Sequence, residues 1–233
     1  MRPALALAAL VAATAAGAVE RIELAAVGVL GRGERASCTG SLIAPDLVLT
    51  AAHCVAGHTR GGQYPVEELF FRTLAVAGVQ ESRVASDVMI HPFWQPGEAE
   101  GASGFRHDLG LVVLAEPITT VPPLAIGAPP EADEAFIVVG YPRAEGEVAR
   151  ERRCPTVALS GDVLVLACVV RSGESGSAVL RKVDGRIEIA AVLAATSTGE
   201  GPRVALAGAA APRVRQLKAL LGRPLDEEPL PSR

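Results

Sequence analysis

The chain has 233 residues and a formal net charge of −4 at pH 7, with 49% apolar and 21% charged residues. It is too apolar for an intrinsically disordered chain, and its charge argues against a basic nucleic-acid interface. The length allows one large domain or two compact halves. The 24 glycines and 17 prolines disfavour a helical bundle and favour short strands joined by turns.

The first residues have the pattern of an export signal. Arg2 supplies a positive charge, residues 4–16 are apolar, and Ala16-Gly17-Ala18 fits cleavage after residue 18. A run of about 13 residues is short for a bilayer span, although a buried N-terminal helix is an alternative. We expect residues 1–18 to be a signal peptide and the mature protein to be secreted or periplasmic, with no membrane contact.

Short apolar runs between turn residues predict two strand-rich halves, residues 19–115 and 135–211. The runs in the first half are 27–30, 41–43, 47–50, 69–76, 84–90 and 109–114. Those in the second half are 135–139, 163–170, 187–194 and 204–207. Residues 116–134 contain five prolines, which lack the donor of a sheet ladder, so they predict a linker that cannot continue a sheet.

One helix is predicted, at residues 212–222. Pro212 suits a first helical turn, and Gly222 suits the C-terminal cap. Residues 214, 217, 220 and 221 are apolar and fall at helical spacing. The Pro-rich, acidic residues 223–233 predict a flexible tail.

Four cysteines are present: Cys38, Cys54, Cys154 and Cys168. An exported chain meets an oxidising compartment, where three pairings are possible. The pairs Cys38–Cys54 and Cys154–Cys168 are favoured, because each closes a loop of about 15 residues, worth about 3 kcal/mol in the chain-entropy model. Four free buried thiols are the alternative, and without a C-x₂-C spacing a zinc site is disfavoured.

Three residues have local contexts that suit nucleophilic catalysis. His53 follows an apolar run beside Cys54, where an imidazole can be held as a general base. Asp108 opens a buried run, where a carboxylate is costly unless it is paired. Ser175 lies between Gly173 and Gly176, which permit a tight turn with backbone N–H groups aimed at one oxygen. Taken singly, each also fits a packed histidine, a strand-start aspartate or an ordinary loop.

Taken together, these segments resemble the trypsin/chymotrypsin-like serine peptidases. Residues 38–43 and 49–54 read CTGSLI and LTAAHC, similar to the family patterns C-x-G-S-L-I and T-A-A-H-C. Residues 107–114 resemble its D-I-A-L-L-x-L strand, and residues 173–177 resemble G-D-S-G-G. The order His, Asp, Ser matches this family and opposes the α/β-hydrolases. The second cysteine pair is most similar to bacterial secreted members.

The resemblance implies an all-β fold of two six-stranded antiparallel β-barrels with a C-terminal α-helix. It implies a monomeric endopeptidase that cleaves proteins or peptides, without a cofactor, a metal or a nucleic-acid partner. His53 would be the base, Asp108 its orienting partner and Ser175 the nucleophile that forms an acyl-enzyme. Backbone N–H groups of Gly173 and Ser175 would form the oxyanion hole. His58, His91 and His107 are given no chemical role.

Two departures from the family concern activation and specificity. Glu174 stands where many relatives have an Asp that pairs with a freed N-terminus, and Arg21-Ile22 is a candidate activation bond; the alternative is a chain competent once its signal is removed. Val169 replaces the acidic residue that trypsin has six positions before its serine, which disfavours cleavage after Lys or Arg. A small to medium uncharged residue is expected directly before the scissile bond, with an acidic one as the alternative because of Arg171. The expected pocket residues are Val169, Val170, Ser172, Thr196, Ser197 and Thr198.

The sequence argues against three other functions. A catalytically silent binding module on the same fold is opposed by the complete His, Asp, Ser set. An α/β-hydrolase esterase is opposed by the chain order and by Ser177, which breaks the G-x-S-x-G pattern. A metalloenzyme is opposed by the lack of an H-E-x-x-H motif.

Overall fold

A computed structural model describes residues 23–56, 62–76, 78–96, 102–197 and 202–224. Six strands of the first half pair antiparallel and close into a barrel in the order β1-β2-β3-β6-β5-β4. These strands are β1 (Val27–Arg32), β2 (Arg35–Ala44), β3 (Leu47–Thr50), β4 (Leu69–Arg72), β5 (Ser82–Ile90) and β6 (Gly110–Leu114). Closure leaves no free sheet edge on this half.

The second half forms another barrel in the order β11-β8-β9-β10-β13-β12, closed by pairing of β11 with β12. Its strands are β8 (Ala135–Gly140), β9 (Arg150–Ser160), β10 (Val163–Leu166), β11 (Ala178–Val183), β12 (Arg186–Thr196) and β13 (Ala205–Ala209). A short strand, β7 (Ala125–Ile126), adds to β12 in parallel. The prediction of two six-stranded antiparallel barrels is therefore confirmed.

The predicted C-terminal helix is also confirmed and spans Ala210–Leu220, starting two residues before the predicted boundary. Gly222 follows it with a φ of 65°. The N–H of Gly222 donates to the Ala219 carbonyl at 3.1 Å, and that of Arg223 to the Lys218 carbonyl at 2.9 Å. This is the Schellman arrangement that a glycine after the last turn makes possible. No helix in the described residues is long and apolar enough to cross a bilayer.

The hydrophobic core has two clusters. One fills the first barrel and extends to the C-terminal helix, whose Val214 and Leu217 belong to the same cluster as Leu47 and Leu111. The other lies in the second barrel around Phe136 and neighbouring apolar side chains. Burying each large apolar side chain contributes about 1.5–3 kcal/mol, so the helix stabilises the first barrel although it follows the second in the chain.

The linker differs from the prediction. Its Ala125 and Ile126 pair with Glu188 and Ile189 of β12, and the N–H of Gly127 donates to the Ile189 carbonyl at 3.0 Å. The prediction that this stretch cannot continue a sheet was wrong for these residues, because they lie between the prolines and keep their backbone donors. Ile118, Val121 and Leu124 of the linker are buried in the core cluster of the first barrel.

Strand boundaries differ from the sequence pattern in several places. The expected runs 69–76 and 163–170 end early, at Arg72 and Leu166. Strands β9 and β11 were not predicted; β9 is largely exposed and carries three arginines, so it lacks an apolar run. The predicted signal peptide, the Arg21-Ile22 bond, His58, and the tail beyond residue 224 lie outside the described residues.

Candidate active site

Asp108 makes two contacts with His53, one with its imidazole and one with its backbone N–H. β3 ends at Thr50, and His53 lies in the short helix Ala52–Val55 that follows, rather than at the strand end. Its Nδ1 atom is 2.7 Å from Asp108 Oδ2, and its backbone N–H donates to Asp108 Oδ1 at 2.9 Å. When Nδ1 carries the hydrogen towards the carboxylate, Nε2 is the nitrogen left to accept a proton.

Burial and Asp108 act on the pKa of His53 in opposite directions. Burial lowers it, while the hydrogen bond that the imidazole donates to Asp108 and the charge of that carboxylate raise it, and the net result is a pKa above the ordinary 6.5. Asp108 itself is only 5% exposed and lies two residues before the start of β6. The pair therefore forms a base whose protonated form is stabilised by a fixed carboxylate.

Ser175 lies in the loop between β10 and β11, where the backbone requires glycine on both sides. Gly173 has a φ of 98° and Gly176 a φ of 82°. A Cβ on Gly173 would be 2.5 Å from the Tyr141 carbonyl oxygen, and one on Gly176 would be 2.2 Å from that of Thr39. Both positions combine a left-handed φ with close backbone approach, which L side chains do not tolerate.

Both barrels anchor this loop. The N–H of Thr39 in β2 donates to the Ser175 carbonyl at 2.8 Å, and the N–H of Gly176 donates to the Leu193 carbonyl of β12 at 2.8 Å. Among the described residues, the amide N–H groups of Gly173 and Ser175 donate to no protein acceptor. They remain available for an external oxygen, as an oxyanion hole requires.

His53, Gly173 and Ser175 line one cleft of about 740 Å³. The sequence-predicted catalytic and oxyanion residues are thus brought together, with His53 and Asp108 from the first barrel and Ser175 from the second. The cleft also contains Ser172, an expected pocket residue, and four residues that the sequence did not indicate: Arg32, Arg35, Tyr64 and Arg143. Three separate parts of the chain supply these four, so only the fold could reveal them.

Two smaller pockets adjoin the same residues. One, of about 250 Å³, is lined by Val170, Arg171, Ser172, Ser175 and residues 193–196; the other, of about 290 Å³, is lined by His53, Trp94, Gln95, Gly104, Phe105, Asp108, Ala194 and Ala195. Of the expected pocket residues, Val170, Ser172 and Thr196 line the first. Val169 is 49% exposed and lies outside the described lining, Ser197 hydrogen-bonds with Val204 instead, and Thr198 lies outside the described residues.

The four cysteines pair locally, as Cys38–Cys54 and Cys154–Cys168. The first bridge borders the cleft, and Cys54 Sγ lies 3.7 Å from the Ser175 carbonyl oxygen. Cys38, His53 and Cys54 place their ligand atoms within 4.8 Å of one another. The two sulfurs are bonded to each other, however, and cannot act as thiolates, so this trio does not fit a metal centre.

Comparison with known proteins places this chain in a family. Residues 38–188 match the family described as "Trypsin-like peptidase domain". The chain belongs to that family. It is 33% identical over 116 residues to a calcium-dependent serine proteinase of Mesocricetus auratus, covering 46% of this chain and 16% of the relative. It is 26% identical over 151 residues to a cercarial protease of Schistosoma mansoni, covering 58% of this chain and 54% of the relative.

The matches thus span only part of each relative. They confirm the predicted trypsin-like peptidase family, and the matched range contains His53, Asp108 and Ser175.

A further feature of this trypsin-like peptidase domain is the ion pair beneath its serine loop. Glu174 is fully buried, and its Oε2 accepts from Arg152 Nη1 at 3.0 Å and from the Arg171 backbone N–H at 2.6 Å. The sequence left the partner of Glu174 open, between a freed N-terminus and none. The partner in the structure is Arg152, which lies on the unpredicted strand β9.

Proposed function

We propose that the chain is a secreted serine endopeptidase that uses His53, Asp108 and Ser175. The single observation that carries the proposal is the His53–Asp108 hydrogen bond of 2.7 Å in a cleft that also contains Ser175. Membership of the trypsin-like peptidase family supports the same chemistry.

The proposed reaction begins at the Ser175 hydroxyl. His53 takes the hydroxyl proton at Nε2, and Ser175 Oγ attacks the carbonyl carbon of the scissile bond. Asp108 holds the imidazole in the required tautomer and stabilises the imidazolium. His53 then gives the proton to the leaving amine, which departs and leaves an acyl-enzyme. Water, deprotonated by the same imidazole, hydrolyses the ester and regenerates Ser175.

The negative charge of each tetrahedral intermediate would develop beside the amides of Gly173 and Ser175. Their N–H groups donate to no described protein acceptor, so they need not break another bond to bind the oxyanion. Each such donor contributes about 3 kcal/mol to transition-state stabilisation. The left-handed Gly173 and Gly176 support this role, because they fix the loop geometry before the substrate arrives.

We further propose that the residue before the scissile bond is small and uncharged. The pocket of about 250 Å³ beside Ser175 has Val170, Leu193 and Ala194 among its lining residues, and no carboxylate lines it within the part of the chain that the structure describes. A Lys or Arg side chain would lose its hydration there without gaining a partner. Arg171 lies at this pocket, but it already contacts Glu145, which favours an uncharged side chain over an acidic one.

Export is proposed from the N-terminal pattern and from the two disulfides. Disulfides persist in oxidising compartments and are rare in the cytosol. The bridges connect Cys38 to Cys54 and Cys154 to Cys168.

Labelling with a fluorophosphonate probe tests the proposal, because the probe reacts only with an activated serine. The folded wild-type protein should be labelled and should cleave a quenched peptide library, whereas Ser175→Ala should do neither. Ser160→Ala is the control for labelling, because Ser160 is exposed at the end of β9 and outside the described pocket linings. Failure of the folded wild type to react would favour a silent binding module.

A further inference from the structure

The cleft beside Ser175 is unusually basic for this chain. Three arginines line it, Arg32, Arg35 and Arg143, and no acidic residue is among its described lining. We name this group the arginine cleft. The chain as a whole has a net charge of −4, so positive charge is concentrated at one side of the proposed nucleophile.

The positions of the other two pockets indicate which part of a substrate meets the arginine cleft. Both share Ala194 and Ala195, near the end of β12. The pocket of about 250 Å³ is lined by residues of the second half, whereas the pocket of about 290 Å³ lies between Ala194 and Ala195 and residues of the first half. An extended segment along these residues can fill both pockets with its side chains, as the acyl part of a substrate would. The segment beyond the scissile bond then continues into the remaining cleft, along β1 and β2 and past the Cys38–Cys54 bridge.

Arg32 and Arg35 are placed side by side by the fold. They are register partners across the turn that joins β1 to β2. Like charges directly opposite each other destabilise a strand pair unless an anion lies nearby. The turn residue Glu34 is exposed and forms no salt bridge within the described part of the chain, and Arg35 has no carboxylate partner there either.

The other two arginines are held beside the cleft by neighbouring groups. The Arg32 guanidinium lies over the Tyr64 ring, 3.9 Å from its centroid, and 3.9 Å from Glu68 Oε2. Arg143 Nη2 donates to the Ser37 carbonyl at 3.1 Å. These contacts use part of each donor set, so guanidinium N–H groups remain for an external carboxylate, which Arg recognises in a forked geometry.

We propose that the arginine cleft selects substrates with an acidic residue among the first three positions after the scissile bond. Three extended residues span roughly 10 Å, so more than one position can reach the guanidinium groups. The inference rests on the proposed peptidase function and adds its substrate class: peptides whose leaving segment is acidic. Arg35 is the principal specificity residue, because its charge is the least compensated.

Quenched peptides that are identical before the scissile bond, with Asp, Asn or Lys at each of the next three positions, test this. We expect kcat/KM for the best Asp peptide to exceed that of its Asn counterpart about tenfold, with Lys the slowest. The preference should shrink as salt rises, because exposed charges are screened. Arg35→Ala should reduce the Asp-to-Asn ratio, and Arg35→Glu should reverse it in favour of Lys.

Arg186→Ala is the matched control, since Arg186 is exposed at the start of β12 and lies outside the described cleft lining. The Asp-to-Asn ratio of kcat/KM in this variant should equal that of the wild type. Equal rates for Asp, Asn and Lys peptides, or an Asp preference that survives Arg35→Glu, overturn the inference. Fluorophosphonate labelling on the same preparation separates the two proposals. A labelled enzyme without the acidic preference refutes only the specificity, whereas an unlabelled and inactive protein refutes the peptidase function and this inference with it.

Discussion

The guanidinium of Arg152 holds the carboxylate of Glu174 in a bidentate ion pair directly before Ser175. Arg152 Nη1 is 3.0 Å from Glu174 Oε2, and Nη2 contacts Oε1. The Glu174 side chain is fully buried, while that of Arg152 is 23% exposed. A buried carboxylate is costly without a partner, so Arg152 fixes the backbone that carries the proposed nucleophile.

Removal of the Arg152 side chain should therefore lower the stability of the protein and disturb the loop that contains Ser175. Arg152→Met leaves Glu174 buried and unpaired, and we expect the free energy of unfolding to fall by about 3–5 kcal/mol. Fluorophosphonate labelling of the remaining folded protein should slow at least tenfold. Arg153→Met is the control, because Arg153 is exposed and faces the opposite side of β9. Wild-type stability and labelling in Arg152→Met would contradict the proposed role.

The contacts of the Glu174 carboxylate also predict whether the chain needs cleavage at Arg21 to become active. Because its carboxylate already accepts from Arg152 and from the Arg171 amide, a freed N-terminal ammonium is not needed to hold it. We expect a chain starting at Val19 and a chain starting at Ile22 to have the same kcat/KM. Purification of both forms and titration of their active serines measures this. Activity confined to the Ile22 form would show that cleavage at Arg21 is required.

The pH dependence of the reaction should reflect the pair of His53 and Asp108. Burial lowers the pKa of His53, but Asp108 raises it above 6.5, so kcat/KM should fall as the pH drops through that raised value and the base becomes protonated. In Asp108→Asn both raising contributions vanish. The acid limb should then move to lower pH, and the rate at neutral pH should fall about 10⁴-fold because the tautomer is no longer fixed.

A pH–rate profile of each enzyme, normalised to the concentration of reactive serine, measures this shift. Asp133→Asn serves as the control, since Asp133 is exposed in the linker, and its profile should match the wild type. If the acid limb of the pH–rate profile lies at the same pH in Asp108→Asn as in the wild type, a group other than Asp108 raises the pKa of His53.

The sequence predicted the barrels and the proposed triad because their signals are local. Apolar runs bounded by turns marked most strands, and His53, Asp108 and Ser175 each lie in a short stretch of distinctive composition. Strand β9 was not predicted, because it is largely exposed and begins with four charged residues instead of an apolar run. Its Arg152 could not be matched to Glu174, since 22 positions separate them. The arginine cleft was missed for the same reason: Arg32 and Arg35 lie at the turn between β1 and β2, whereas Arg143 lies more than 100 positions later in the chain.

The close packing at Gly176 provides a test of the serine loop. A Cβ there would lie 2.2 Å from the Thr39 carbonyl oxygen and 2.3 Å from Thr50 Oγ1, at a φ of 82°. Gly185 has nearly the same φ, 84°, but nothing lies within 4 Å of the added Cβ. Gly185→Ala should therefore cost only the backbone strain, about 1–2 kcal/mol. Gly176→Ala should cost more and should abolish labelling of Ser175; equal effects of the two substitutions would argue against a fixed loop.

His107, which directly precedes Asp108 in the chain, stacks on His91, and this pair should make the stability of the fold depend on pH in the acid range. The rings of His91 and His107 are 4.7 Å apart between centroids. The pKa of His107 is lowered to about 4, first by burial and then by the positive charges of His91, Arg213 and Arg106, against a raising effect of Asp162. An unfolded histidine has a pKa of about 6.5. Between these two values, the unfolded chain binds more protons than the folded chain.

Stability should therefore decline as the pH falls from about 6.5 towards about 4, because the free energy of unfolding rises with pH wherever the unfolded state holds more protons. His107→Gln cannot gain a proton, so its loss of stability over this window should be smaller than that of the parent protein. Urea unfolding at pH 7 and pH 5 measures both losses, in a Ser175→Ala background that prevents self-digestion. Equal losses in the two proteins would show that other groups control unfolding in acid, whereas a smaller loss in the variant would place the acid sensitivity at the histidine next to Asp108.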